Sequence, residues 1–101
     1  MKIEVLYIDG RTHFPATVDA VERRLGHLGL TCPITEMSVT DQNMAVSIGF
    51  LGSPTVRING LDIEPSARQR TTFGMMCRPY EGSGGVPSED LIRSAIAEAQ
   101  R

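Results

Sequence analysis

The feature that most constrains this chain is a change of hydrophobic period across a single dipeptide. Before Asp9-Gly10, Val5, Leu6, Tyr7 and Ile8 run on without a polar break. A strand that is apolar at every position is covered on both faces, so Lys2 to Ile8 is predicted as a central strand. After the dipeptide, Phe14, Val18, Val21, Leu25 and Leu28 recur at alternating four- and three-residue steps. That is the stripe of an amphipathic helix running from about Thr12 to Leu28. Thr12 is its candidate cap, Pro15 falls in the first turn where a missing N–H costs nothing, and Gly29 suits its end. A weaker strand follows from Thr31 to Val39, with Pro33 favouring an edge or a strand start. Strand, helix, strand in this order implies a right-handed crossover and a parallel pair.

Thr40 or Asp41 then caps a short helix that carries Met44 and Ile48 inward and stops at Gly49. Thr55 to Ile58 and Leu61 to Glu64 flank Asn59-Gly60, the strongest short hairpin signal. Ser88 caps a last helix whose Ile92, Ala95, Ile96 and Ala99 form a core-facing stripe. The expected order is β-α-β-α-β-β-α, an α/β chain with a mixed sheet. The one irregular stretch, residues 65–86, contains Gly82, Gly84 and Gly85. A connection that long inside a compact domain is either a lid or binding loop, or a floppy surface excursion.

Composition narrows the function classes. The chain has 101 residues, 41% apolar and 22% charged, which suits one globular domain over 1–101. A net charge of −2 argues against a general nucleic-acid binder. Arg23-Arg24 and the pair Arg68 and Arg70 have acidic neighbours and read as solvated surface. The apolar run near Met1 is too short for a signal peptide, and no segment has the length of a membrane span. With only Cys32 and Cys77, a disulfide-stapled secreted scaffold is not expected, and the cytoplasm is the default compartment.

The element order, with a proline opening the third strand, resembles the thioredoxin superfamily, a three-layer α/β/α fold. Ser53-Pro54-Thr55-Val56-Arg57-Ile58-Asn59-Gly60 looks like the cis-proline segment of that family followed by its terminal hairpin. The resemblance implies a cis bond at Ser53-Pro54 and a backbone that offers hydrogen bonds to an extended peptide or thiol ligand. A closer resemblance is to small bacterial thioredoxin-like proteins, some of them labelled alkylmercury-lyase-like. It rests on Tyr7-Ile8-Asp9-Gly10, Phe50 through Gly60, Asp62-Ile63-Glu64-Pro65 and Cys77-Arg78-Pro79-Tyr80. The chain departs from the family where Gly-Cys-Pro would stand: Gly10-Arg11-Thr12-His13-Phe14 puts Arg11 in the place of the first cysteine. A thioredoxin nucleophile works there because the helix start lowers its pKa, and arginine cannot attack a disulfide. Ordinary dithiol exchange is therefore excluded at that turn.

Several residues carry a chemical reading beside a plain one. Cys77, between Met76 and Arg78, is the candidate nucleophile or soft-metal ligand if Arg11 approaches it; the alternative, favoured here, is a small buried hydrophobe. Met75-Met76-Cys77 offers three sulfurs, but neighbours on an extended segment point to opposite faces and do not converge without a turn. Cys32 reads as structural. His13, at a helix start, is a neutral base or donor beside a pocket, or a surface residue; His27 lies off the apolar stripe. Two histidines and two cysteines without close spacing make no zinc motif, and no metal or cofactor is expected. Arg11 beside helix N–H groups suits an anion or carboxylate such as that of glutathione, against a snorkelled surface arginine.

These observations favour a redox-inactive binding module. Arg11, Thr12, His13, Ser53, Pro54, Thr55 and Arg78 would hold a peptide or a small thiol or anionic ligand. The alternatives are a single-thiol enzyme or mercurial-handling protein using Cys77, and a homodimer or partner-interaction protein using the 65–86 loop.

Overall fold

The computed structural model describes residues 1–10, 13–80 and 84–101. It is a mixed α/β arrangement of β1 (Ile3–Tyr7), α1 (His13–His27), β2 (Ile34–Ser38), α2 (Gln42–Ile48), β3 (Thr55–Ile58), β4 (Leu61–Asp62) and α3 (Glu89–Ala99), with a 3-10 turn at Pro65–Ala67. The sheet order is β2-β1-β3-β4. β1 pairs parallel with β2 and antiparallel with β3, so the strand with the unbroken apolar run is central. Its residues divide between two cores. Ile3 and Val5 join Val18, Val21 and Leu25 of α1 and Ile92 and Ile96 of α3 on one face. Leu6 packs with Val39, Ala45 of α2 and Phe50 on the other. Because both faces are covered, β1 has no polar position to give away except Glu4.

Local chemistry explains where the elements stop. α1 ends in a Schellman motif: Gly29 is left-handed at φ 67, Leu30 N–H donates to Leu25 O at 2.9 Å and Gly29 N–H to Gly26 O at 3.1 Å. Asp41, rather than Thr40, caps α2 by accepting from Met44 N–H at 2.8 Å. Ser88 caps α3 by accepting from Leu91 N–H at 3.1 Å. Asn59 and Gly60 both adopt positive φ, 53 and 82, as a two-residue type I′ hairpin requires. The cap expected at Thr12 lies outside the described residues.

Four expectations need correction. Leu28 is 42% exposed, because the helix ends at His27 and the Schellman turn swings Leu28 outward. The second strand starts only at Ile34, since Pro33 cannot donate to a ladder. β4 is two residues long; Ile63 N–H still donates to Val56 O at 3.1 Å, but the chain bends at Ile63 and Glu64 toward the 3-10 turn. Arg68 is not a solvated arginine: its Nε donates to Asp62 O at 2.8 Å and its two terminal nitrogens to the Glu98 carboxylate at 3.0 and 2.6 Å.

That last pairing fastens the loop after β4 to α3 and has a titration signature. The hydrogen bond from Arg68, aided by its charge, holds the Glu98 carboxyl below its ordinary value of 4.5. A depressed folded pKa contributes stability above the unfolded value and loses it as pH falls through the folded one. Arg68→Gln is expected to return the Glu98 titration, followed by carboxyl carbon shifts, to about the ordinary glutamate value. An unchanged titration would mean that the pair does not persist in solution.

Among the described residues, no helix is long and apolar enough to cross a membrane.

Candidate functional site

Antiparallel pairing of β1 with β3 sets Leu6 opposite Thr55, so the last residues of β1 lie beside the first of β3. The chain leaving β1 and the chain entering β3 therefore meet at one end of the two central strands. Ile8 N–H donates to Ser53 Oγ at 3.1 Å, and the Ser53-Pro54 bond is cis. Tyr7 stacks on Phe14 across the bend, ring centroids 3.7 Å apart and 12° from parallel. The turn after the first strand and the prolyl segment thus share one side of the molecule.

That edge is occupied by the chain itself. Ser53 N–H donates to Met76 O at 2.8 Å, and Ser53 O accepts from Arg78 N–H at 3.0 Å, a parallel bridge to Cys77. Both main-chain groups of the residue before the proline are therefore committed. The close approach depends on Gly52, whose φ is 109. A β-carbon there would stand 3.0 Å from Met76 Cγ and Met76 O and 3.1 Å from Arg78 Cβ. Tyr80 continues the cover, its hydroxyl donating to Pro54 O at 2.7 Å. Ser53, Pro54 and Thr55 are all buried as a result.

The segment is anchored by a buried ion cluster. Arg78 Nη1 donates to Asp62 Oδ2 at 2.6 Å, and Nη2 donates to Asp62 Oδ1 at 2.8 Å and to Glu64 Oε1 at 3.1 Å. The side chain of Arg78 is 1% exposed, those of Asp62 and Glu64 7% and 10%. Nη1 also donates to Thr55 Oγ1 at 3.3 Å, and the guanidinium lies 4.6 Å from the Tyr80 ring centre. Burial works to lower the Arg78 pKa, but the hydrogen bonds to Asp62 and Glu64 and the charge of Asp62 outweigh it and hold arginine above its ordinary value. Burial likewise raises the Tyr80 phenol against the opposing charge of Arg78, so the hydroxyl remains a donor.

The residues expected to form the site separate. Ser53, Pro54 and Thr55 lie together, with Arg78 behind them. Arg78 is a strut beneath the surface, its terminal nitrogens already on carboxylates, and it offers no open guanidinium to a ligand. Arg11 and Thr12 lie outside the described residues, and with them the relation of Arg11 to Cys77. His13 is exposed, and Gly85 lies against its ring so closely that a β-carbon at Gly85 would overlap the imidazole. Cys77 is exposed rather than packed, which removes the buried-hydrophobe reading. Parallel bridging to Ser53 turns the buried side chain of Arg78 inward and leaves its chain neighbour outward. Met75 packs partly against the Leu6 core while Met76 is 36% exposed, so no soft-metal trio forms from these neighbours. Among the described residues, no group of three or more His, Cys, Asp and Glu side chains is placed to hold a metal ion.

Asp62, Glu64, Tyr80 and Gly52 enter the sequence reading only within the segments that carry the resemblance, with no role of their own. The signal was present in the spacing: Asp62 and Glu64 are two apart, as are Arg78 and Tyr80, and alternate residues of an extended chain share a face. Opposite charges on two such faces are candidates for a buried clamp.

Comparison with known protein families, with characterised proteins and with solved structures finds no match to this chain.

Proposed function

We propose that this protein is a redox-inactive, thioredoxin-like binding module that takes a peptide or a small thiol or anionic ligand at the junction of the β1–α1 bend and the Ser53-Pro54 segment. The reading is supported above all by one observation. Ser53 already exchanges hydrogen bonds through both main-chain groups with a segment of the same chain, Met76 to Arg78, across a one-residue parallel bridge to Cys77. Strand addition of this kind draws affinity from the backbone, so an extended peptide can replace a resident strand whose sequence differs. The replacement of a cysteine by Arg11 at the bend removes exchange chemistry without removing this surface. The position of Gly85 over His13 agrees with a loop that covers the same edge from the other side.

Titrating isotope-labelled protein with glutathione and with a set of unstructured peptides tests the reading. Saturable amide shifts are expected at His13, Ser53 and Thr55, together with shifts at Met76 to Arg78 as the resident strand yields. Shifts scattered over the surface, or none at these residues, would dispose of it.

A further inference from the structure

We infer a second, separate site: the cleft between the end of α2 and the turn after β4 binds a small oxyanion, a carboxylate or a phosphate. Arg57, Arg68 and Arg70 line one cavity of about 160 Å³ together with Phe73, Gly49 and Leu51. Against a water's share of roughly 30 Å³, the space admits one such group with part of its hydration. Asp62 also borders the cavity, but its carboxylate is bound on both oxygens by Arg78.

The arginines of the cleft differ in how far they are already paired. Three guanidiniums, of Arg57, Arg68 and Arg70, line the cleft with one carboxylate, that of Asp62, while Arg78, Glu64 and Glu98 pair with these groups from outside it and Glu4 stands opposite Arg57 across β1 and β3. Arg78 takes Asp62 and shares Glu64. Arg68 takes Glu98. Arg70, half exposed, reaches Glu64 only at 3.7 Å. Among the described residues no carboxylate lies within ion-pair distance of Arg57, although Glu4 and Asp62 stand opposite it on the neighbouring strands; its Nη2 donates to the carbonyls of Ile48 and Gly49 at 2.7 and 2.9 Å, at the end of α2. Those bonds orient the guanidinium from one nitrogen and leave Nε and Nη1 available. An oxyanion matches the planar fork of arginine. Phe73 stands beside it: its ring and Arg57 Nη2 lie 3.5 and 3.7 Å from the same point above Gly49. An aromatic wall next to a guanidinium favours an anion that carries an apolar remainder, so benzoate should bind better than acetate.

The cleft does not share the main-chain groups of Ser53, so the two sites can fail independently. The test follows the side-chain Nε–H resonances of Arg57 and Arg70 during titration with inorganic phosphate, acetate and benzoate at constant ionic strength. Saturable shifts at both arginines below about 50 mM are expected, with amides at Ser53 and Thr55 unmoved. Each of Arg57→Gln and Arg70→Gln should weaken binding about tenfold, the loss of one charge-assisted hydrogen bond. Arg70 is exposed, so its replacement leaves the fold intact even if Arg57→Gln loosens the end of α2. Phosphate binding that outlasts carboxylate binding would assign the site to phosphate esters, and the converse to carboxylates. Absence of saturation with all three anions, or an affinity unchanged in Arg70→Gln, overturns the proposal.

Discussion

Arg78→Met is expected to lower stability by about 3–5 kcal/mol, because it strands the buried carboxylate of Asp62 and leaves that of Glu64 only the more distant Arg70. The substitution keeps most of the side-chain volume, so the loss is electrostatic rather than a cavity effect. Asp62 loses both of its charge-assisted bonds and Glu64 one, at exposures of 7% and 10%. For a domain of this size that is about a fifth or more of a typical total stability. The midpoint of urea unfolding should fall while its slope stays constant, the sign of changed stability without a changed denatured state. Adding Asp62→Asn to the variant should recover part of the loss, since one stranded charge is then gone. The pair of single variants and the double variant form a cycle whose coupling measures the clamp itself. If Arg78→Met unfolds at the parent midpoint, the ion cluster does not hold this loop down. The Tyr80 hydroxyl and the bridge to Ser53 would then have to hold it alone.

The second large effect is expected from Gly52→Ala. The added methyl meets Met76 Cγ and O at 3.0 Å and Arg78 Cβ at 3.1 Å, and backbone is among the atoms that would have to move. Overpacking of this kind costs about 1–3 kcal/mol, and a positive φ imposed on alanine adds to it. Unlike the arginine variant, this change falls at the contact between the resident strand and the prolyl segment. It should therefore dislodge Met76 to Arg78 from Ser53 before it disturbs the two cores. If the proposed binding edge is correct, a ligand then meets a site less often filled. Apparent affinity scales with the fraction of molecules whose site is open, so a strand docked 99 times in 100 hides about a hundredfold of intrinsic affinity. Gly52→Ala should thus be less stable by urea unfolding yet bind glutathione or peptide more tightly, with earlier saturation at Ser53 and Thr55. Weaker binding in step with weaker stability would show that the resident strand is part of the structure and not a substitute for a ligand.

Much of the architecture was legible in the residues because its causes are local. The unbroken run at Val5 to Ile8 marks a strand buried on both sides whatever its neighbours. Asn59-Gly60 marks a hairpin because both positions need positive φ, and Ser88 and Gly29 mark helix ends through caps formed within a few residues. The element order follows from such signals. Where these expectations slipped, a local rule met a stronger neighbour, as when Leu28 was carried past the helix end by the Schellman turn.

The site was legible only in part. That Ser53-Pro54 would stand near the bend after β1 was what the resemblance implied. That the edge would already be filled was not, since it depends on the path of a loop with no periodicity. Arg78 shows the difference most clearly. Its charge and its place beside Cys77, in a segment that carries the resemblance, suggested a ligand contact. The structure puts its guanidinium under the sheet edge, against Asp62 and Glu64, residues 16 and 14 positions away. The sequence alone determined the succession of strands and helices and the absence of a nucleophile at residue 11, because propensity, capping and side-chain chemistry act within a few residues. Only the tertiary structure decided which charges neutralise one another and which segment covers the prolyl edge, because those pairings form between distant stretches whose meeting no local rule prescribes.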